Sequence, residues 1–278
     1  MPVTTPSEAD GKRRIAALYS RVAADYDENG PPFFAHAGGR LVELSQVGPG
    51  DKVLDVATGR GAALFPAANR IGATGFAIGI DLAVGMVERT RDEIAQRGVT
   101  NATVVRMDAE HLAFAPSSFD RVVCGFAVFF FPDVPRVLNE LRRVLRRDGT
   151  VAFAFTRRTD PRWHWYGELL QRFGAHDGLP PLAGDAAIRN EGALVAALET
   201  SGFSDVREIV EETEFVIPNE MAWWSSLWTH GERRALERLD DDTLARFRAA
   251  CFRHLQELME PSGLPLRQAH TFVLATRS

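Results

Sequence analysis

The chain has 278 residues, 45% of them hydrophobic and 25% charged, with a formal net charge of -5. That length can bury a full core and the composition is ordinary globular, which excludes a disordered or collagen-like chain. The acidic balance argues against a nucleic-acid partner, since phosphate binding needs clustered Lys and Arg, and the two distant cysteines, Cys124 and Cys251, exclude a disulfide framework or a Cys-based metal site.

Met1 to Gly11 is small and polar, so neither a signal peptide nor an anchor is expected and a reducing cytoplasm fits. Arg14 to Tyr26 carries Ile15, Leu18, Tyr19 and Val22 at helical spacing, which predicts an amphipathic helix ended by Asn29-Gly30-Pro31-Pro32. A second helix is expected over Phe33 to Leu44, before the turn Gly48-Pro49-Gly50-Asp51.

From Lys52 to Phe155 strands and helices alternate, the pattern of a parallel, doubly wound sheet. The predicted strands are Lys52 to Val56, Gly75 to Ile80, Ala102 to Met107, Arg121 to Phe126 and Thr150 to Phe155, with helices near Ala62 to Arg70, Ala83 to Arg97 and Val134 to Arg146. The last helix has Asp133 as its N-cap and ends in Arg142, Arg143, Arg146 and Arg147, read as a solvated face whose cations suit a helix C-terminus. The longest apolar run, Val122 to Phe131, is too short to span a bilayer, so no membrane span is expected.

After Phe155 the alternation loosens. Helices are expected over Trp163 to Phe173, Asn190 to Ser201, Glu220 to Leu239 and Thr243 to Met259, with a Gly/Pro-rich loop at His176 to Ala183. Phe203 to Ile217 reads as one or two extended segments, and Gln268 to Thr276 as a closing strand. All five tryptophans lie in this half, so part of that aromatic surface is expected to line a pocket for an apolar ligand.

Three carboxylates, Asp55, Asp81 and Asp108, end the first three predicted strands, so a right-handed doubly wound sheet would set all three on one crevice. Asp81 is placed to accept from ribose hydroxyls, Asp108 from an exocyclic amino group, and Gly59 and Gly61 let backbone approach a ligand. A dinucleotide site wants G-x-G-x-x-G, and Ala57-Thr58-Gly59-Arg60-Gly61-Ala62 lacks two of those glycines.

The run Asp55-Val56-Ala57-Thr58-Gly59-Arg60-Gly61 resembles the first motif of the class I S-adenosylmethionine-dependent methyltransferases, in the small-molecule branch of ubiquinone/menaquinone and natural-product enzymes. Gly79-Ile80-Asp81-Leu82 resembles their ribose-binding strand end, Met107-Asp108-Ala109-Glu110 their adenine segment, and Phe119 to Val123 and Leu145 to Thr150 their fourth strand and the turn into the fifth. Tyr19 to Asp27 is similar to their leading helix, and Ala57 departs from the family's usual Gly.

The resemblance implies a Rossmann-like α/β sheet of seven strands, the last antiparallel between strands 5 and 6, with N-terminal helices and a helical cap. It assigns 1–46 to the helical cover, 47–158 with 264–278 to the cofactor-binding core, and 159–263 to the acceptor cap. The cofactor would be S-adenosyl-L-methionine, held by Tyr26, Asp55, Ala57, Gly59, Gly61, Asp81, Leu82, Met86, Met107, Asp108, Ala109 and Gly125. The expected reaction is methyl transfer to an O or C atom of an apolar small molecule, a secondary metabolite, without a metal.

Tyr19, Tyr26 and Phe129-Phe130-Phe131 are candidates for ring contact with the sulfonium, the Phe run reading more readily as core packing. Of the seven histidines, His230 is the first choice for a base and His164 the second. Two other readings stay open: a methyltransferase-fold enzyme that couples C-methylation of an isoprenoid or polyketide to cyclisation, and a non-catalytic cofactor-binding protein. A homo-oligomer is compatible with either.

Overall fold

The computed structural model describes residues 8–27, 30–175, 184 and 190–278. Two helices lead, α1 (Glu8–Val22) and α2 (Phe33–Leu44). The alternating core follows as β1 (Lys52–Val56), α3 (Leu64–Ile71), β2 (Phe76–Asp81), α4 (Val84–Gln96), β3 (Ala102–Arg106), β4 (Phe119–Gly125), α5 (Val134–Val144) and β5 (Leu145–Thr159). The remainder comprises α6 (His164–Arg172), α7 (Ala193–Thr200), β6 (Phe203–Ile217), α8 (Glu220–Trp228), the short α9 (Arg233–Leu236), α10 (Asp241–Leu258) and β7 (Leu264–Arg277).

The seven strands form one sheet in the order β3-β2-β1-β4-β5-β7-β6. β1 to β5 are parallel, and β7 inserts antiparallel between β5 and β6, as the resemblance implies. β1 reads as an unbroken apolar run because both its faces are covered: Leu54 and Val56 pack with the α5 side, Val53 with α2 and α3. On α5 the stripe Val137, Leu138, Leu141 and Val144 is fully buried, and Asp133 caps its start by accepting from the Arg136 amide at 2.9 Å.

Several boundaries and assignments differ from those expected. Helix α1 begins at Glu8 rather than Arg14, so the polar start is helical from there. The stretch Glu220 to Leu239 is two helices, broken at Thr229-His230-Gly231. Phe203–Ile217, within the range assigned to the cap, pairs with β7 along its length and forms the edge of the sheet. The loop His176 to Ala183 lies outside the described residues.

The arginines at the end of α5 and the start of β5 are more tightly engaged than a solvated face. Arg143 donates to the carbonyls of Phe114 (2.7 Å) and Leu112 (2.8 Å), Arg142 to Gly202 (3.0 Å), and Arg146 pairs with the buried Asp120. Arg142 and Arg143 staple loops to α5, and Arg146 ties β5 to β4.

The tryptophans resolve into packing. Trp163, Trp223 and Trp224 are buried with Phe247, Leu255 and Cys251 in a separate hydrophobic core, and Trp165 and Trp228 pack against it. The Trp163 indole donates to the Pro265 carbonyl at 3.0 Å, tying this core to β7. The expectation that some of them line the ligand pocket does not hold for the cavity described next.

Candidate active site

At the carboxyl ends of β1 to β4 lies a cavity of about 530 Å³, a volume ordinary for a small-molecule site. Its floor is the turn after β1. Thr58 donates to Asp55 at 2.6 Å, its amide donates to the Ile80 carbonyl at 2.9 Å, and the Gly61 amide donates to the Thr58 carbonyl at 2.8 Å. The left-handed φ angles of Gly59 (53°) and Gly61 (80°) let the chain turn, and a Cβ on Gly59 would meet nothing within 4 Å. The turn is therefore a cradle whose open side faces the cavity.

Ala57 takes the same left-handed region, with φ 54°, where the related motif has glycine. The departure keeps the backbone shape and strains it. At Gly61 a Cβ would come within 2.7 Å of the Phe65 ring, so that position needs glycine for packing as well as for φ.

Each carboxylate has a different task. Asp55, 2% exposed, is pushed up to about 7 by burial, against the lowering effect of the Thr58 hydroxyl. Asp81 accepts from the Gly59 amide at 2.9 Å and the Ala83 amide at 2.8 Å, locking the first turn to the start of α4, while burial raises its pKa. Asp108 accepts from the Glu110 amide at 3.0 Å and from the ammonium of Lys12 at 2.8 Å. Lys12 also pairs with Glu110 at 2.6 Å.

The roof comes from the leading helices. Lys12, Ile15, Ala16 and Tyr19, at positions i, i+3, i+4 and i+7 of α1, all line the cavity. Close approach is built in by glycines: a Cβ on Gly85 would lie 2.5 Å from the Ser20 carbonyl oxygen, and one on Gly38 2.3 Å from that of Ala62. Arg60, between the two turn glycines, donates to the Ala23 carbonyl at 2.8 Å and pairs with Glu93 at 3.2 Å. It fastens the end of α1 to α4.

Beyond the carboxylates the wall turns aromatic. Tyr19 meets Tyr26 edge-on at 6.0 Å and Phe130 at 5.4 Å, Tyr26 stacks on Phe34 at 5.5 Å, and Phe126 stands edge-on to Phe34 at 5.0 Å. Burial raises the phenol pKa of both tyrosines, so at neutral pH each is a hydrogen-bond donor. Phe126 has φ 55°, a rare conformation for a bulky residue. Phe130 and Phe131, read as core, also line the cavity.

All twelve residues assigned to the cofactor (Tyr26, Asp55, Ala57, Gly59, Gly61, Asp81, Leu82, Met86, Met107, Asp108, Ala109 and Gly125) line this cavity, as does Tyr19. His230 does not. It stands behind Tyr26 (5.1 Å) and Phe34 (5.4 Å), with Nδ1 2.7 Å from the Ser226 carbonyl and Nε2 3.6 Å from Asp27. Burial disfavours its charged form, but Asp27, the Ser226 carbonyl and Glu232 together raise its pKa. His164 is exposed at the start of α6, away from the cavity.

Sequence reasoning missed Lys12, Asp27 and Arg60 as cavity residues. Only Arg60 had a signal, a long cation between the two glycines of the turn.

An anion-lined, glycine-cradled crevice at the carboxyl edge of a doubly wound sheet defines a nucleoside-binding enzyme of the Rossmann-like class. Residues 53–149 match the family model described as a methyltransferase domain. Nocamycin O-methyltransferase of Saccharothrix syringae is 34% identical over 252 residues, 86% of this chain and 89% of the relative. Aklanonic acid methyltransferase of a Streptomyces strain is 39% identical over 142 residues, 51% of this chain and 64% of the relative. Among solved structures, the YcgJ protein of Bacillus subtilis superposes with a TM-score of 0.57 at 20% identity, over 87% of this chain and 99% of that one, and shares the fold. The chain belongs to the S-adenosylmethionine-dependent methyltransferases, in their small-molecule, natural-product branch.

Proposed function

We propose that the chain transfers a methyl group from S-adenosylmethionine to an oxygen atom of an apolar, polyketide-type small molecule. The observation that carries this is the continuity of the cavity, which runs from Asp55, Asp81 and Asp108 to the aromatic wall of Tyr19, Tyr26, Phe34 and Phe126. A cofactor lying on the carboxylates would thus present its reactive end to an apolar chamber. One relative is named as an O-methyltransferase, which supports oxygen as the attacking atom, and the names of both support a natural product as the acceptor.

In this reading the Gly59 cradle takes the cofactor's backbone-facing side, Asp81 the ribose hydroxyls and Asp108 the adenine amino group, while buried Asp55 faces the charged tail. The cofactor when bound supplies an electrophilic methyl on a sulfonium. The chain's own residues hold the acceptor oxygen in line with that methyl and exclude water, which is most of what such a displacement needs. Tyr19 and Tyr26 donate hydrogen bonds at the acceptor face and offer the cation their ring faces.

His230, one layer out and engaged with Ser226 and Asp27, fits a group that positions Asp27 and the Tyr26 ring rather than a general base. An acceptor oxygen already ionised at neutral pH needs no base, and one relative is named for an acid. The cyclisation and non-catalytic readings gain no support from relatives named as methyltransferases.

The test is methyl-labelled cofactor offered with a panel of aromatic polyketide acids and phenols, followed by mass spectrometry of products. O-methylated product with no new ring supports the proposal. Label appearing only on carbon, or ring closure without label, would replace it.

A further inference from the structure

Among the described residues Lys12 is the cation that α1 places at the Asp108 end of the cavity, and nothing in the family resemblance accounts for it. Its ammonium lies 2.8 Å from Asp108 and 2.6 Å from Glu110, with its side chain 18% exposed. Both carboxylates lie in the loop after β3 and Lys12 is on α1, so this double ion pair clasps the roof of the cavity to its wall. Burial opposes the charge on Lys12, but the hydrogen bonds it donates to both carboxylates, with their charges, outweigh it and the pKa stands above the usual lysine value.

We propose that Lys12 is a positioning residue for the cofactor: it fixes the Asp108 carboxylate for the adenine amino group and latches α1 over the bound nucleoside. The inference rests on the placement of adenine at Asp108. A carboxylate offers about four lone-pair sites, and Asp108 uses one for the Glu110 amide and one for Lys12, so it can still accept from an exocyclic amine. With Oδ2 held by Lys12 and Oδ1 by the amide, its orientation is set before any ligand arrives.

The latch has a matching anchor at the other end of α1. There the Gly85 amide lies 3.3 Å from the Ser20 hydroxyl, and Arg60 holds the Ala23 carbonyl. Between the two ends Ile15, Ala16 and Tyr19 cover the cavity. Lifting either end would uncover the bound nucleoside, and at the first end the ion pairs that bridge α1 to the Asp108 loop are those of Lys12.

The probe is S-adenosylhomocysteine, followed by stopped-flow release and calorimetry on the intact chain at low and high salt. Lys12→Met is expected to speed release about ten-fold, the equivalent of one charge-assisted hydrogen bond. Wild-type release should quicken with salt and Lys12→Met release should not, because the screened pair is gone. Lys12→Arg should restore slow, salt-sensitive release, and Arg13→Met, at an exposed neighbour, should change nothing.

Unchanged release in Lys12→Met, or tighter binding, which would make Lys12 a competitor for Asp108, overturns the proposal. If Lys12→Met does not fold, the wild-type salt dependence decides, and release indifferent to salt overturns it. Failure of the wild type to bind S-adenosylhomocysteine at all would instead remove the cofactor placement on which this rests.

Discussion

Ala57 occupies a left-handed backbone position, φ 54°, that an L-residue adopts only at a cost. Replacing it with glycine removes that strain, so Ala57→Gly is expected to stabilise the chain by about 0.5 to 1 kcal/mol, read as a shift of the urea midpoint with an unchanged slope. A loss of stability would mean that the methyl makes contacts worth more than the strain.

Asp55 and His270 titrate with opposite effects on stability. The Asp55 carboxyl rises from 3.8 to about 7 on burial, so between those values the folded chain holds a proton that the unfolded chain has released. Stability then falls as pH rises through that window, and Asp55→Asn should flatten this limb. His270, 1% exposed, is lowered from 6.5 to about 4 by burial and by His36, so its contribution is lost as pH falls from 6.5 towards 4. Thermal midpoints of wild type and Asp55→Asn against pH separate these limbs, and parallel curves for the two would contradict the assignment.

Most of the crevice was legible at this scale because each strand-helix unit of the core returns the chain to one sheet edge, so Asp55, Asp81 and Asp108 reveal their common site by spacing alone. His230 was not, because its place depends on the break between α8 and α9 and on packing against Tyr26 and Phe34, neither of which has a sequence period. Lys12 was hidden in the same way, its partners Asp108 and Glu110 lying about a third of the chain away.

At the scale of elements, the strands of the core follow from apolar runs between turns, and their ends shift by only a residue or two except in β5 and β7. β5 runs on to Thr159 because its end pairs with β7 as far as Gln268, and β7 starts at Leu264 because it pairs with β6 as far as Ile217, long-range contacts that no local pattern announces. The tryptophan-rich helices looked available for a ligand because composition cannot separate a second core from a pocket lining. Their faces turn towards one another, and the aromatic wall comes from α1, α2 and the Phe126–Phe131 stretch.

Helix α2 reaches the first turn only because residue 38 is glycine. A methyl there would stand 2.3 Å from the Ala62 carbonyl oxygen, backbone that can yield only by moving the cradle. Gly38→Ala is therefore expected to destabilise the chain by about 1 to 3 kcal/mol and to weaken cofactor binding with it. Gly39→Ala meets open space and serves as the control, stabilising slightly through helix propensity. Equal effects of the two would show that α2 does not press on the turn.

For the molecule as a whole, the sheet provides an edge, the leading helices a roof, and the antiparallel β7 a tie between the sheet and the Trp core. The catalytic assignment depends on the crevice holding a nucleoside with a charged tail. Calorimetric titration of the chain with S-adenosylhomocysteine, with NAD as comparison, and of Asp108→Asn in parallel measures this directly. The account predicts saturable binding of S-adenosylhomocysteine, none of NAD, and a loss of about 1.5 to 3 kcal/mol in the variant with its thermal midpoint preserved. Binding of NAD alone, or undiminished affinity in Asp108→Asn, would contradict it.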